Sequence, residues 1–146
     1  MNILYIARIG LMIIGVCVGL ISASQTFSHV TDPTYQVPNL AVEEGSSKYL
    51  TETHSNYHAF REFMLTLAVL GLVVWASLDR RVVQSQVHWI VIMVIIAAYV
   101  LGWWLPWPLF DLRAPGMDAV TAHAVATVGL LGAGALLHPR LASRHA

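Results

Sequence analysis

Charged residues are scarce in this sequence. Its 146 residues include eight basic and eight acidic side chains, so 11% of the chain is charged, against roughly 25% in soluble domains. The formal net charge is zero, and there is no basic patch of the kind that nucleic-acid binding requires. The single cysteine, Cys17, has no partner for a disulfide within the chain. An ordinary soluble domain and a nucleic-acid partner are therefore not expected.

The chain has instead four long apolar runs. They cover residues 3–24, 57–78, 87–105 and 117–137, and each is close to the ~20 residues that a helix needs to cross ~30 Å of hydrocarbon. Backbone amides in a bilayer must bond within such a segment, and these runs lack the alternation of a barrel strand. We predict one all-α domain over 1–146, an integral membrane four-helix bundle in up-down-up-down order. The lipid bilayer is its first expected partner.

Arginines gather in the segments that would orient the chain. They lie at the amino terminus, in the second connection and in the tail, as Arg8, Arg80, Arg81, Arg140 and Arg144. Because Lys and Arg are enriched in cytoplasmic segments, we predict that both termini are cytoplasmic, in a bacterial inner membrane. Residues 25–56 are rich in acidic, Pro and Gly residues, so they are predicted to form a long outer loop without a long helix.

Motifs of catalysis are missing. The sequence contains no phosphate-binding Walker loop, nucleophile elbow, HExxH or CxxC. No ionisable residue lies near the centre of a predicted span, which argues against a pump or a proton-driven carrier. We therefore do not expect an enzyme.

A polar cluster interrupts the apolar pattern at the outer end of the second span. His54, His58, Arg61 and Glu62 recur at helical spacing, and two of the pairs are four residues apart. One interpretation is an ordinary interfacial cluster, in which Arg61 and Glu62 pair locally or reach the headgroups.

The other interpretation is a ligand or transition-metal site. His123, one turn into the fourth span, and His29, at the end of the first, are expected at the same depth. Imidazole suits zinc, copper or haem iron, and Glu62 could orient a ligating ring. The spacing matches no known metal motif. No cofactor is therefore predicted, and a metal or haem remains the alternative.

Four aromatic residues lie at and just after the end of the third span, namely Trp103, Trp104, Trp107 and Phe110. Pro106 and Pro108 are expected to end the helix among them. Indole rings prefer the membrane–water boundary, so the group is interpreted as an interfacial anchor. Contact with a partner subunit is the alternative, because Trp is favoured at protein interfaces.

Small residues repeat on two helices. The first helix carries Gly15, Gly19 and Ala23, and the fourth carries Ala126, Gly129 and Ala133. Such faces let helix backbones approach closely. They are predicted to pack within the bundle, with docking on a larger complex as the alternative. Pro139 is expected to end the fourth helix.

Three further features describe the layout, namely an N-x-x-x-x-R pattern from Asn56 to Arg61, an Arg-rich turn at Asp79, and a Gly/Ala-rich last helix. In these features the chain resembles the small, uncharacterised four-helix membrane proteins of bacteria of the broad DoxX-like kind. The long acidic loop and the Trp-Trp-Leu-Pro-Trp-Pro segment depart from it. Because that group shares no assigned activity, the resemblance implies a fold and not a function.

Two functions remain open. The preferred hypothesis is a non-catalytic accessory or assembly subunit of a larger membrane complex, such as an energy-transducing one, with other membrane subunits as partners. The alternative is a membrane protein that binds a small ligand or metal through His54, His58, Arg61, Glu62 and His123.

Overall fold

A computed structural model shows a chain built from helices. It describes residues 3–30, 48–111, 114 and 116–142, and it describes their side chains except at 48–57, 80 and 142. The helices are α1 (Ile3–Ser28), α2 (Lys48–Leu78), α3 (Gln86–Trp104), α4 (Pro106–Phe110), α5 (Met117–Leu136) and α6 (Pro139–Ala142), with a 3₁₀ turn at Arg80–Val82. No strand occurs in these residues.

Four helices are long and apolar enough to cross a membrane. The candidate spans are Ile3–Ser28, His58–Leu78, Gln86–Trp104 and Met117–Leu136. Large apolar side chains remain exposed along them, including Ile13, Val94 and Val128 at 51%, 60% and 64%. Apolar surface on this scale is suited to lipid and not to water. The predicted all-helical fold with four candidate membrane spans is confirmed.

The first connection is shorter than predicted. We expected residues 25–56 to lack a long helix, but α1 continues to Ser28 and α2 begins at Lys48. The residues that disfavour helix in this segment lie between those two ends, at Pro33, Pro38 and Gly45. Helices also need not stop at a membrane boundary, because their backbone bonds are internal. The loop prediction is therefore wrong at both ends, while residues 31–47 lie outside the described part.

Two prolines begin short helices that we did not expect. Leu105 alone separates α3 from α4, and Pro106 is the first residue of α4. Pro139 likewise begins α6. Proline suits the first position of a helix, because its missing N–H has no partner there and its φ is already helical. The prolines do separate α3 and α5 from the next segments of the chain, but each also starts a new helix.

The closest packing joins α1 to α5 at two glycines. A Cβ on Gly15 would lie 2.7 Å from the backbone nitrogen of Leu130 and 2.9 Å from the carbonyl carbon of Gly129. A Cβ on Gly129 would lie 2.5 Å from the nitrogen of Gly15. Side chains do not fit at such distances, so glycine at both positions lets the two backbones touch. The contact lies within one chain, and these glycines therefore do not face a separate subunit.

The other small residues of both faces are also buried. Ala23, Ala126 and Ala133 are at most 2% exposed, and Gly19 is buried on α1. Gly19 differs from Gly15 in its neighbour, since a Cβ there would meet a methyl group of Leu70 at 2.9 Å. A side chain can rotate away, whereas a backbone cannot.

We therefore expect a graded response to alanine at three glycines. Gly129→Ala should lower the free energy of unfolding by about 1–3 kcal/mol, because its methyl group meets backbone. Gly19→Ala should cost less. Gly71→Ala, where nothing lies within 4 Å, should be neutral or stabilise by roughly 0.5–1 kcal/mol, because alanine favours helix. Thermal unfolding in one detergent, followed by circular dichroism, measures all three. Equal midpoints for Gly129→Ala and Gly71→Ala would contradict the backbone contact.

A surface ion pair orders the turn between α2 and α3. Asp79 accepts hydrogen bonds from the Arg81 backbone N–H at 3.0 Å, from Nε at 3.1 Å and from Nη2 at 3.1 Å. These bonds from Arg81 hold the pKa of the Asp79 carboxyl below its ordinary value, and Asp79 raises the pKa of Arg81. The Ser85 hydroxyl then accepts from the N–H of His88 at 3.2 Å and caps α3.

Acid should disrupt this turn only at low pH. A carboxyl whose pKa is depressed by folding stabilises the fold above its ordinary pKa, and the effect is lost as the pH falls through the folded value. The Asp79 carboxyl should therefore titrate below 3.8. In Arg81→Ala its titration should return toward that value, while in Arg140→Ala it should not change. Carboxyl-carbon NMR shifts measure the titration, and identical Asp79 curves in all three proteins would contradict the pairing.

Candidate functional site

Aromatic and polar side chains of several helices meet near one end of the bundle. We call it the aromatic end and define it by Phe27, Phe63, Thr66, Tyr99, Trp103 and His123. The rings of Phe27 and Phe63 lie 4.8 Å apart, joining α1 to α2. One turn along α2, Thr66 is buried, and its side chain shares a hydrogen bond with the phenol of Tyr99 on α3. Three helices are therefore connected here by side chains.

His123 of α5 is stacked on an indole. Its ring centroid lies 4.8 Å from that of Trp103, and the two planes differ by 7°. Trp103 also contacts Tyr99 edge-on, with centroids 4.7 Å apart and planes at 66°. Stacking occupies a face of the imidazole and not its edge, where both nitrogens lie. His123 is half-buried, so its position is set by packing against α3.

The neighbouring indole makes a hydrogen bond inside the bundle. Nε1 of Trp104 donates to Oγ1 of Thr127 at 2.9 Å, and that hydroxyl donates to the carbonyl oxygen of His123 at 2.6 Å. A buried indole N–H needs such an acceptor. Trp103 and Trp104, interpreted from sequence as an anchor or partner contact, thus pack against α5 of the same chain. Trp107 and Phe110 are 51% and 71% exposed.

The described part of the polar cluster lies on the exposed surface of α2. His58, Arg61 and Glu62 are all exposed, whereas the His54 side chain lies outside the described ones. A depression of about 730 Å³ adjoins the cluster. The described residues that line it are His58, Phe60, Arg61, Glu62, Met64 and Leu65.

The described side chains do not form a metal centre. No group of three or more His, Cys, Asp or Glu residues among them is placed to hold a metal ion. His58, Glu62 and His123 therefore do not converge as a ligand set, and His29 does not complete one. The metal interpretation would depend on His54, whose side chain is not described.

Sequence reasoning did not single out Thr66, Tyr99 or Thr127. One signal was available, because Tyr99 precedes Trp103, and His123 precedes Thr127, by four residues, which places each pair on one helix face. The pairing of α3 with α2 and α5 needed the structure.

The opposite end of α3 shows a similar contact that we also did not predict. Nε1 of Trp89 donates to the carbonyl oxygen of Gly134 at 3.0 Å, and its ring meets that of His138 edge-on at 4.5 Å. A Trp–His contact therefore joins α3 to the α5 segment at each end.

No protein-family model, no curated protein and no solved structure matches this chain. The DoxX-like resemblance therefore stays a prediction, and function has to be inferred from the residues and their geometry.

The Trp104–Thr127 bond gives a test of the aromatic end. Thr127→Val keeps the shape but leaves the indole N–H without its acceptor, so it should destabilise by about 1–3 kcal/mol. In a Trp104→Phe background the same change should cost clearly less, because no N–H remains to be satisfied. Thermal unfolding of the four proteins gives the coupling energy. An equal cost in both backgrounds would contradict this bond.

Proposed function

We propose that the protein is a non-catalytic accessory or assembly subunit of a larger membrane complex. The observation that carries the proposal is the exposed aromatic surface of α4. Its side chains Trp107, Leu109 and Phe110 are 51%, 62% and 71% exposed, and none of its five residues is buried. Large aromatic side chains are favoured anchors of protein interfaces. The non-catalytic part of the proposal rests on the absence of catalytic motifs in the sequence.

The geometry of α4 supports a docking role. The helix ends at Asp111, whose φ of 54° lies in the left-handed region, and the Asp111 N–H donates to the carbonyl oxygen of Trp107 at 2.9 Å. This conformation is uncommon outside glycine, although Asp adopts it more readily than most residues. Pro106 fixes the other end of α4. A short helix with a proline at its first position and a hydrogen-bonded end at Asp111 has a restrained backbone, which reduces the backbone entropy lost on binding.

We further infer the up-down-up-down order, a bacterial inner membrane location, and cytoplasmic termini. The order is supported by paired contacts, in which the residue number rises along one helix and falls along its neighbour. For α1 and α5 the pairs are Leu11–Gly132 and Gly15–Gly129. For α1 and α2 they are Gly19–Leu70 and Phe27–Phe63, and for α3 and the α5 segment they are Trp89–His138 and Trp103–His123. The orientation is supported by the arginine distribution. In that orientation α4 would lie on the outer side, and the proposed partner would meet it there.

Removing the aromatic side chains of α4 should release the partner. We expect tagged wild-type protein, purified from native membranes in mild detergent, to carry a defined set of other chains. A Trp107→Ala/Phe110→Ala protein should insert normally but lose that set. Trp75→Ala removes a side chain of similar exposure, 59%, from α2 and serves as the control.

Mass spectrometry of the eluates measures the result. If these residues only anchor the protein in lipid, all three proteins will carry the same chains. That result, or a wild-type protein that elutes alone, would contradict the subunit proposal.

A second function, the binding of a small ligand, is favoured by the depression beside α2. The depression is open to the surface, and its described lining comes from α2 alone, so a ligand would lie along the helix and not inside the bundle. Both charge signs and an imidazole line it, in Arg61, Glu62 and His58. This candidate uses a different surface from the α4 contact, so the two functions can be tested separately.

A further inference from the structure

We propose that the polar cluster of α2 binds the headgroup of a zwitterionic phospholipid that carries a primary amine. The inference rests on the ligand-binding function and not on the subunit proposal. Its basis is the order of the exposed side chains along α2. The charged side chains come first and apolar ones follow deeper in the span, just as a phospholipid has a polar headgroup followed by apolar acyl chains.

The cluster lies within reach of the headgroups. The apolar run of α2 begins near residue 57, so Arg61 and Glu62 lie about one turn inside it, roughly 6–8 Å along the helix axis. Helical side chains tilt toward the start of their helix, and the long Arg side chain can extend further to the bilayer surface. The two charged groups can therefore meet phosphate and amine groups, and they avoid the centre of the hydrocarbon.

The charges of the cluster match those of the proposed headgroup. The guanidinium of Arg61 suits phosphate oxygens, which accept two parallel N–H bonds. The carboxylate of Glu62 accepts hydrogen bonds, and a primary ammonium donates three. The two charges cancel, as they do in a zwitterionic headgroup, whereas an anionic lipid would be better matched by two cations. His58, one turn nearer the start of the span, adds a donor for the phosphate.

The apolar side chains of the depression suit the rest of the lipid. Phe60, Met64 and Leu65 are 46%, 49% and 60% exposed, and they line the same depression as the charged pair. Met64 and Leu65 lie deeper along α2 than Glu62. An acyl chain that continues from a bound headgroup would pass over them. This face belongs to a membrane-spanning segment, where phospholipid surrounds it from all open sides.

The test measures which phospholipid the purified protein retains. Full-length wild-type protein in mild detergent is equilibrated with equal amounts of phosphatidylethanolamine, phosphatidylcholine and phosphatidylglycerol, then washed, and the bound lipid is quantified by native mass spectrometry. We expect roughly a tenfold preference for phosphatidylethanolamine over phosphatidylcholine, the size of one charged hydrogen bond. Phosphatidylcholine shares the phosphate and the charge but has no N–H to donate.

Three variants assign the two charges. Glu62→Gln should show a clearly smaller preference for phosphatidylethanolamine, because its neutral amide oxygen accepts a weaker hydrogen bond from the ammonium than a carboxylate does. Arg61→Gln should retain less of all three lipids, because the phosphate loses its cation. Asp118→Asn neutralises an exposed carboxylate on α5, outside the cluster, and should keep the wild-type preference. Unchanged unfolding midpoints would show that each variant is folded.

The contrary outcomes are distinct. No preference in the wild-type protein, or the same preference in Glu62→Gln, would overturn the lipid site. Loss of the preference in Asp118→Asn would overturn it as well, because the effect would then be one of total charge. If Glu62→Gln keeps its lipid but loses chains that co-purify from native membranes, the cluster contacts protein. Loss of chains in the α4 variant tests the subunit proposal alone.

Discussion

The contact between the backbones of Gly15 and Gly129 is the constraint on which the rest of the bundle depends. Helices inside lipid gain little from the hydrophobic effect, since lipid tails are as apolar as their side chains, so close van der Waals contact has to associate them. Two glycines give that contact between α1 and α5. Because α2 packs on α1 and α3 packs on α5, the distance between α1 and α5 sets where both of the other helices can lie. The side-chain contacts of the aromatic end depend on that placement.

Polar contacts stabilise the bundle near the ends of α3, while small and aliphatic residues pack between them. The indole N–H groups of Trp89 and Trp104 find acceptors on the α5 segment, and each bond lies within a few residues of a Trp–His ring contact. In an environment of low dielectric constant such bonds are stronger, and an unpaired donor is more costly, than in water. Between them lies Ile96, which is fully buried beside Gly134. The position of α3 is thus specified by directional bonds at both ends and by packing in the middle.

The bilayer explains which features could be predicted from the sequence. Four helices long enough to span a bilayer were predictable, because hydrocarbon forces a long apolar run to be helical. The points where the helices begin and end outside their apolar runs were not predictable, because the bilayer imposes no constraint on them in water. As an example, α2 begins well before its apolar run. The sequence showed the small-residue faces that contain Gly15 and Gly129. Such a face predicts that another helix backbone packs closely, but it does not identify that helix. For the same reason Trp103 and Trp107 looked alike in sequence, although one packs against α5 and the other is exposed.

The glycine faces pack within the chain, so they are not available as a binding surface for a partner. With these faces occupied within the chain, the two proposed functions use other described surfaces, namely α4 and the polar cluster of α2. Their chemistry differs. The exposed aromatic side chains of the short helix α4 favour the proposed protein contact, because a protein surface can supply a complementary pocket. Arg61 and Glu62 lie near the start of a span, where burying charge costs least, and so their position does not by itself require a protein partner. Headgroups lie close to this position in any bilayer, and the presence of both charges above apolar side chains is the reason for proposing that the cluster selects among them.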